Sequence, residues 1–244
     1  MAVGAIVLCR LDSTRLPGKV LRPVGGKPLL DYLLARARRI PELDALILAT
    51  SDRAVDDPIA AYGQQRGLPV FRGPAEDVAA RALACARHHG LRRFCRMNGD
   101  SPFVEPALVS LALRTAEEGE FDLVTNLCPR TFPYGVSGEV IDTEAFARAY
   151  RQMDRPEHFE HVTRYFYDNL EQFRFINIAS AHGDQSAYRL TIDTEDDLHR
   201  FERVLEALGN DWEAVSYRDV LPLLDRLDAT AVTASPVHPG SEPV

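Results

Sequence analysis

Five cations, Arg10, Arg15, Lys19, Arg22 and Lys27, stand within CRLDSTRLPGKVLRPVGGKP, a Pro- and Gly-rich stretch directly behind the apolar run of residues 3–8. So much positive charge on a loop that follows a buried strand suits an anionic ligand, and phosphate is the first candidate. The stretch is not a Walker A loop. The positions that motif gives to its first Gly and to its closing Ser or Thr hold Ser13 and Val20. Two further stretches supply acids: RMNGDSPF carries Asn98, Gly99 and Asp100, and RLTIDTEDD carries Asp193. Thr194 reads as a helix N-cap, and Asp196 and Asp197 as first-turn acids favoured by the helix dipole. Asp193 precedes the cap and is free to serve as a ligand. Alone, Asp100 also reads as a turn former in Gly99-Asp100-Ser101-Pro102.

Cations for a triphosphate and two carboxylates for a divalent metal are what nucleotidyl transfer needs. The acceptor oxygen itself attacks phosphorus, so no Ser, Cys or His nucleophile is required, and catalysis reduces to positioning and charge stabilisation. Two other readings stay open. A glycosyltransferase consuming a nucleotide sugar would usually bind metal through an Asp-x-Asp stretch, whereas NGDSP offers one acid and the second comes far downstream. A non-catalytic nucleotide-binding protein would be expected to lack Asp100 or Asp193.

These three loops can meet only on a particular scaffold. Short apolar runs at 4–9, 45–50, 69–71, 93–97, 123–126, 138–141, 173–178 and 189–192 are the expected strands. Amphipathic stretches at 28–39, 54–66, 75–89, 106–118, 143–150, 157–169, 195–208 and 217–227 are the expected helices. Their alternation through residue 120 implies an α/β fold, a mostly parallel sheet with helices on both faces. Ligands of such a sheet bind beyond the carboxyl ends of its strands, where all three loops fall. Pro28 suits the first turn of its helix. After residue 127 the pattern loosens into a small inserted subdomain, about 128–172, before a strand ending at Asp193 returns to the sheet. Residues 1–228 read as one nucleotidyltransferase domain and 229–244 as a frayed tail.

Composition bounds the rest. The 244 residues fit one domain with a small subdomain, and 45% hydrophobic with 26% charged residues is ordinary for a globule. A net charge of -8 argues against a nucleic-acid or anionic-membrane surface, so the basic loop is a local feature. Cys9, Cys85, Cys95 and Cys128 form no CxxC pair, and no signal peptide or run of about 20 apolar residues is read. Reduced thiols in a cytoplasmic protein follow.

The stretches RLDSTRLPGKVL, VGGKPLL, VFRGPAEDVAAR, NGDSPFVEP, FEHVT and LTIDTEDDL occur in order from about residue 3 to 205. Together they resemble the spore-coat polysaccharide protein F-like cytidylyltransferases, relatives of the acylneuraminate and 3-deoxy-manno-octulosonate cytidylyltransferases. STRLPGK is the most specific of them. The resemblance implies a glycosyltransferase-A-like nucleotide-diphospho-sugar transferase fold, with CMP passing from CTP to a sugar acid or related small-molecule acceptor in cell-surface glycan synthesis. It also implies Mg²⁺ as cofactor, pyrophosphate as product and a homodimer with contacts from residues 130–170. By position, Arg10, Arg15 and Lys19 would hold the triphosphate and act in catalysis. Leu8, Ser13, Arg72, Asn98 and Glu139 would contact nucleotide or acceptor, and Asp100 and Asp193 would hold metal. A transferase using another nucleotide is the nearest alternative.

Two positions depart from that pattern: Asp12, where many relatives have Gly, and Arg164, where proline is common after HVT. Asp12 either repels the phosphates, faces solvent or pairs with an arginine. Arg130, Tyr134 and Glu139 lie in the acceptor region, which names no particular sugar. HFEH sets His158 and His161 on one face of a helix; without third and fourth ligands a structural or acceptor-side role is the better reading than a metal pair.

Overall fold

The computed structural model describes residues 2–234. Its strands are β1 (Ala2–Leu8), β2 (Pro23–Val24), β3 (Lys27–Pro28), β4 (Ala45–Ser51), β5 (Val70–Gly73), β6 (Leu91–Asn98), β7 (Leu123–Thr125), β8 (Glu139–Asp142) and β9 (Phe175–Asn177). The α-helices are α1 (Leu29–Ala37), α2 (Asp57–Gln65), α3 (Val78–His88), α4 (Pro106–Glu118), α5 (Thr143–Tyr150), α6 (Pro156–Glu160), α7 (Arg164–Asp168), α8 (Glu195–Leu208) and α9 (Tyr217–Ala234). Seven strands form one sheet in the order β5-β4-β1-β6-β8-β7-β9, and β2 and β3 make a separate two-residue hairpin. Only β8 runs against the rest, being antiparallel to both β6 and β7.

Strand β1 shows why the helices must sit on both faces. Its side chains alternate in direction. Ala5 and Val7 enter a core with Leu30, Leu33 and Leu34 of α1, Ile59 and Tyr62 of α2, and Val109 and Ala112 of α4. Ile6 and Leu8 enter the opposite core with α3, with Phe146 of α5 and with Phe166 of α7. A strand buried on both faces reads as a continuous apolar run, and this one does. A third apolar cluster packs Leu198, Phe201, Val204 and Leu205 of α8 and Val220, Leu221 and Leu224 of α9 against Leu29 and Tyr32 of α1.

Several expected elements differ. Pro28 caps α1 from outside, in the β3 hairpin, and the helix starts at Leu29. The helix expected over 157–169 breaks at His161, where the backbone becomes extended, leaving α6 and α7. That break buries Val162 and Thr163, β-branched residues that a continuous helix would not favour. Residues 189–192 do not join the sheet. A single bridge, Tyr134 to Arg189, and the bonds Leu190 N–H to Tyr134 O (2.7 Å) and Ile192 N–H to Asp100 O (2.9 Å) hold that stretch instead. Helix α9 continues to Ala234, so residues 229–234 are helical rather than a tail; 235–244 lie outside the described residues.

The loop after β6 is fixed from below by Arg36 of α1, which is almost fully buried. It donates from Nε to Val104 O (2.8 Å) and from Nη1 to Trp212 O (3.0 Å) and Val215 O (2.9 Å). Burying a guanidinium is tolerable only when its donors are met, and here several carbonyls meet them.

Candidate active site

Loop 9–19 leaves β1 at the carboxyl edge of the sheet and is pinned at several points. Leu11 N–H donates to buried Asp56 Oδ1 (2.7 Å), and Gly18 N–H to Leu11 O (2.8 Å). Leu16 and Val20 are buried in the core. Gly18 adopts φ 69°, a left-handed conformation that glycine reaches without a Cβ penalty, and so turns the chain to aim Lys19 inward. The neighbouring loop comes just as close. A Cβ on Gly99 would lie 2.8 Å from Cys9 Cβ, so only glycine allows β6 to end against β1 and place Asp100 beside Lys19.

The third loop is set by the start of α8. Thr194 and Asp197 form a capping box, and Asp197 Oδ2 also accepts from Asp193 N–H (3.0 Å). Asp193 therefore projects before the helix with a fixed backbone. Three loops far apart in sequence meet at one atom, Lys19 Nζ. It donates to Asp100 Oδ2 (2.6 Å), Asp193 Oδ1 (2.9 Å) and Ile192 O (2.8 Å). Arg15 Nη2 adds a second donor to Asp193 Oδ1 (2.9 Å), while Thr191 Oγ1 donates to Oδ2 (3.1 Å). Burial alone would raise the Asp193 carboxyl, but Lys19, Arg15 and Thr191 outweigh it and hold it below the usual carboxylate range.

These groups open onto a cavity of about 380 Å³. Of the residues expected at a site, it is lined by Leu8, Arg10, Ser13, Arg15, Lys19, Asn98, Asp100 and Asp193. Arg72 and Glu139 are not brought there. Arg72, exposed on edge strand β5, spends its guanidinium on Ser51 O (3.0 Å), Arg53 O (2.9 Å) and the Asp57 carboxylate (2.6 Å). Glu139 is fully buried, accepts from Arg96 Nε (2.6 Å) and meets the Tyr167 hydroxyl. It reaches the cavity only through Arg96, whose Nη1 donates to Asn98 Oδ1 (2.9 Å). Glu139→Ala is expected to lower unfolding free energy by about 3–5 kcal/mol in urea titrations, because Arg96 is left unpaired. Weakened CTP binding at unchanged stability would return Glu139 to the ligand set.

Asp12 does not confront the ligand uncompensated. It pairs with Arg53 and lies 3.3 Å from Arg10 Nε, and although burial works the other way, those arginines hold its carboxyl low. Arg164 turns away from the cavity to Asp168 (2.9 Å). His158 is buried between Asp154 (3.3 Å) and Asp168 (3.2 Å), a packing role, whereas His161 and Glu160 line the cavity because the helix breaks there. Arg10 Nη2 lies 3.7 Å from Glu160. No group of three or more His, Cys, Asp or Glu suited to a metal is found among the described residues. Burial pushes the Cys9 thiol up to about 12, so the sulfur in the cavity wall stays protonated and is no nucleophile.

Arg81 and Val78, also in the wall, went unnoticed in the sequence. The available signal was helical phase: position 81 shares the buried stripe of α3 with Val78, Ala82 and Cys85, an odd place for a charge.

The wall thus sets Arg10, Arg15, Lys19 and Arg81 against Asp12, Asp100, Glu160 and Asp193, four cations and four carboxylates. A nucleoside triphosphate brings several negative charges into this balanced site, and a divalent cation is the usual complement. The hard oxygen donors of Asp100 and Asp193 suit Mg²⁺, and their convergence on one ammonium shows that they can share a cation. The residues present therefore fit the metal.

The family model described as cytidylyltransferase matches residues 4–207. The spore coat polysaccharide biosynthesis protein SpsF of Bacillus subtilis is 32% identical over 229 residues, 91% of this chain and 93% of that protein. An 8-amino-3,8-dideoxy-manno-octulosonate cytidylyltransferase of Shewanella frigidimarina is 26% identical over 168 residues, 66% of this chain and 60% of that protein. The structure of a cytidylyltransferase from Leptospira borgpetersenii superposes with a TM-score of 0.87 at 26% identity, covering 98% of this chain and 99% of that one. No described helix is long and apolar enough to cross a membrane. The chain belongs to the cytidylyltransferase family and is a CTP-dependent nucleotidyltransferase.

Proposed function

We propose that the enzyme transfers CMP from CTP to a sugar acid, with Mg²⁺ and release of pyrophosphate. One observation carries the reading: a single ammonium, Lys19 Nζ, gathers Asp100 and Asp193 at the mouth of a cavity lined by Arg10 and Arg15. In the reaction the acceptor hydroxyl oxygen bonds to the α-phosphorus as the bridging bond to the β-phosphate breaks. Pyrophosphate leaves with the electron pair, and the hydroxyl proton passes to solvent. Arg10, Arg15 and Lys19 hold the triphosphate in line and meet the charge that grows on the leaving group. Asp100 and Asp193 would hold Mg²⁺, which would offset triphosphate charge and polarise the α-phosphoryl group.

An anionic acceptor is supported on two grounds. The relative from Shewanella frigidimarina is named for a sugar acid. Beside the cavity, exposed Tyr134 has Arg130 and Arg189 over its ring, 4.2 and 4.8 Å from the centroid. Arg189 Nη1 also lies 3.5 Å from Asp193 Oδ2, which ties this cationic patch to the site. Arginines stacked on an aromatic ring remain able to bind a carboxylate at their edges. The four cysteines are free, which suits the cytoplasm. A homodimer, with contacts from the stretch that contains exposed Tyr134, belongs to the same reading, and sedimentation velocity reads it directly.

Pyrophosphate release should be followed with CTP, UTP, ATP and GTP against sugar acids, neutral sugars and sugar phosphates. Release specific to CTP and a sugar acid is expected. Faster release with a neutral sugar or a sugar phosphate would overturn the acceptor, and preference for another nucleotide would overturn the donor.

A further inference from the structure

The wall made by α3 and the end of β1 is chemically unlike the loop that carries Arg10, Arg15 and Lys19. Val78, Leu8 and Cys9 make it apolar, and a single guanidinium, Arg81, interrupts it. Arg81 is 2% exposed. Its Nη1 donates to Pro74 O (2.7 Å), which fixes the plane of the group. Nε is buried with no hydrogen-bond partner among the described residues, and the two carbonyls that meet the side chain, Pro74 O and Ala75 O (3.4 Å), both take Nη1. No carboxylate is hydrogen-bonded to it. Asp56 and Asp12 act only through space, and burial works against the charge. Buried donors without acceptors are costly and rare, so an unmet guanidinium edge on a ligand cavity indicates a ligand acceptor.

In arginine, Nε–H and one Nη2–H point the same way and form a two-donor edge, the edge left open here. Two adjacent acceptors in one plane match it. Cytosine presents O2 and N3 as such a pair, whereas uracil carries a proton on N3 and would set donor against donor. A flat ring also suits the apolar wall beside Val78.

We infer that Arg81 reads the base: its Nε and Nη2 donate to O2 and N3 of cytosine and select CTP over UTP. The inference rests on the reading that this cavity takes the nucleotide. It assigns base selection to Arg81 and not to Arg72, whose Nε, Nη1 and Nη2 each already meet an acceptor outside the cavity.

The test is equilibrium binding of CTP, UTP and inorganic tripolyphosphate to the wild type, Arg81→Met and Arg81→Lys. The wild type is expected to favour CTP over UTP by roughly 10- to 100-fold, the range of a bidentate arginine contact. Both variants are expected to bring the CTP/UTP ratio to within about threefold of unity, and Arg81→Lys, which keeps the charge, is expected to leave tripolyphosphate affinity unchanged within the same factor. Arg81→Lys keeps the charge and a donor for Pro74 O, so it reads the ratio even where Arg81→Met folds poorly. A ratio preserved in either folded variant overturns the inference. So does an equal loss for CTP, UTP and tripolyphosphate, the signature of a purely structural arginine. A wild type that binds none of the three overturns the nucleotide reading itself.

Discussion

Lys19→Met is expected to lower kcat/KM for CTP by about 10³-fold, the upper range for removing one charged donor from a transition-state site. The side chain is buried, and its Nζ touches Asp100, Asp193 and the Ile192 carbonyl together. Without it, the adjacent Asp100 and Asp193 carboxylates lose the cation between them, and on the proposed reading the triphosphate loses one too. Both effects repel an anionic ligand. Lys19→Arg retains charge but not the three-way geometry and should recover only part of the loss. Steady-state kinetics with CTP decide the matter: a loss below tenfold would show that Lys19 is a structural clasp alone.

The same substitution has an acid signature. In the wild type the depressed Asp193 carboxyl contributes stability that is complete above about pH 4, its unfolded value, and is lost as pH falls through the lower folded value. Removing Lys19 removes the strongest of the interactions that depress it. The variant should therefore lose stability less steeply below about pH 4 in urea titrations run across pH.

Asp193→Asn is expected to reduce kcat by about 10²- to 10³-fold while leaving the fold intact. Asparagine is nearly isosteric, and its carbonyl oxygen can still accept from Arg15 and Lys19, so the loop stays in place. What disappears is charge. A site that shares a divalent cation between two carboxylates then holds it less well, and the Mg²⁺ concentration for half-maximal activity should rise. Mn²⁺ binding measured by electron paramagnetic resonance in the presence of CTP gives a readout independent of turnover. Unchanged turnover and unchanged Mn²⁺ affinity would remove Asp193 from the proposed metal site and leave it as the organiser of Arg15, Lys19 and Arg189.

Much of this site could be read before any coordinates, for a physical reason. Apolar runs alternating with amphipathic helices fix which loops lie at the carboxyl edge, which places the loop from Arg10 to Lys19 after β1 and Asn98 and Asp100 at the end of β6; Asp193 follows no sheet strand and was legible instead from its place just before the α8 N-cap. What escaped was decided by tertiary contacts. Residues 189–192 have strand-like composition, yet the sheet has no place beside them, and Tyr134 and Asp100 hold them instead. Arg72 and Glu139 occupy positions that suit a ligand, but neighbouring carbonyls and Arg96 claim them first. Arg81 was hidden by its helix, where a charge among alanines reads as solvent-facing unless phase is followed. His161 reached the cavity because α6 stops at Glu160, a break that buries Val162 and that helical periodicity does not reveal.

The most direct test of the central claim is a crystal structure of the enzyme with CTP and Mg²⁺. The account predicts triphosphate density within hydrogen-bond reach of Arg15 and Lys19, metal density between Asp100 and Asp193, and the cytosine ring against Val78. Triphosphate density in another cleft, such as the one lined by Lys27 and Trp212, with the Lys19 bridge undisturbed, would contradict it.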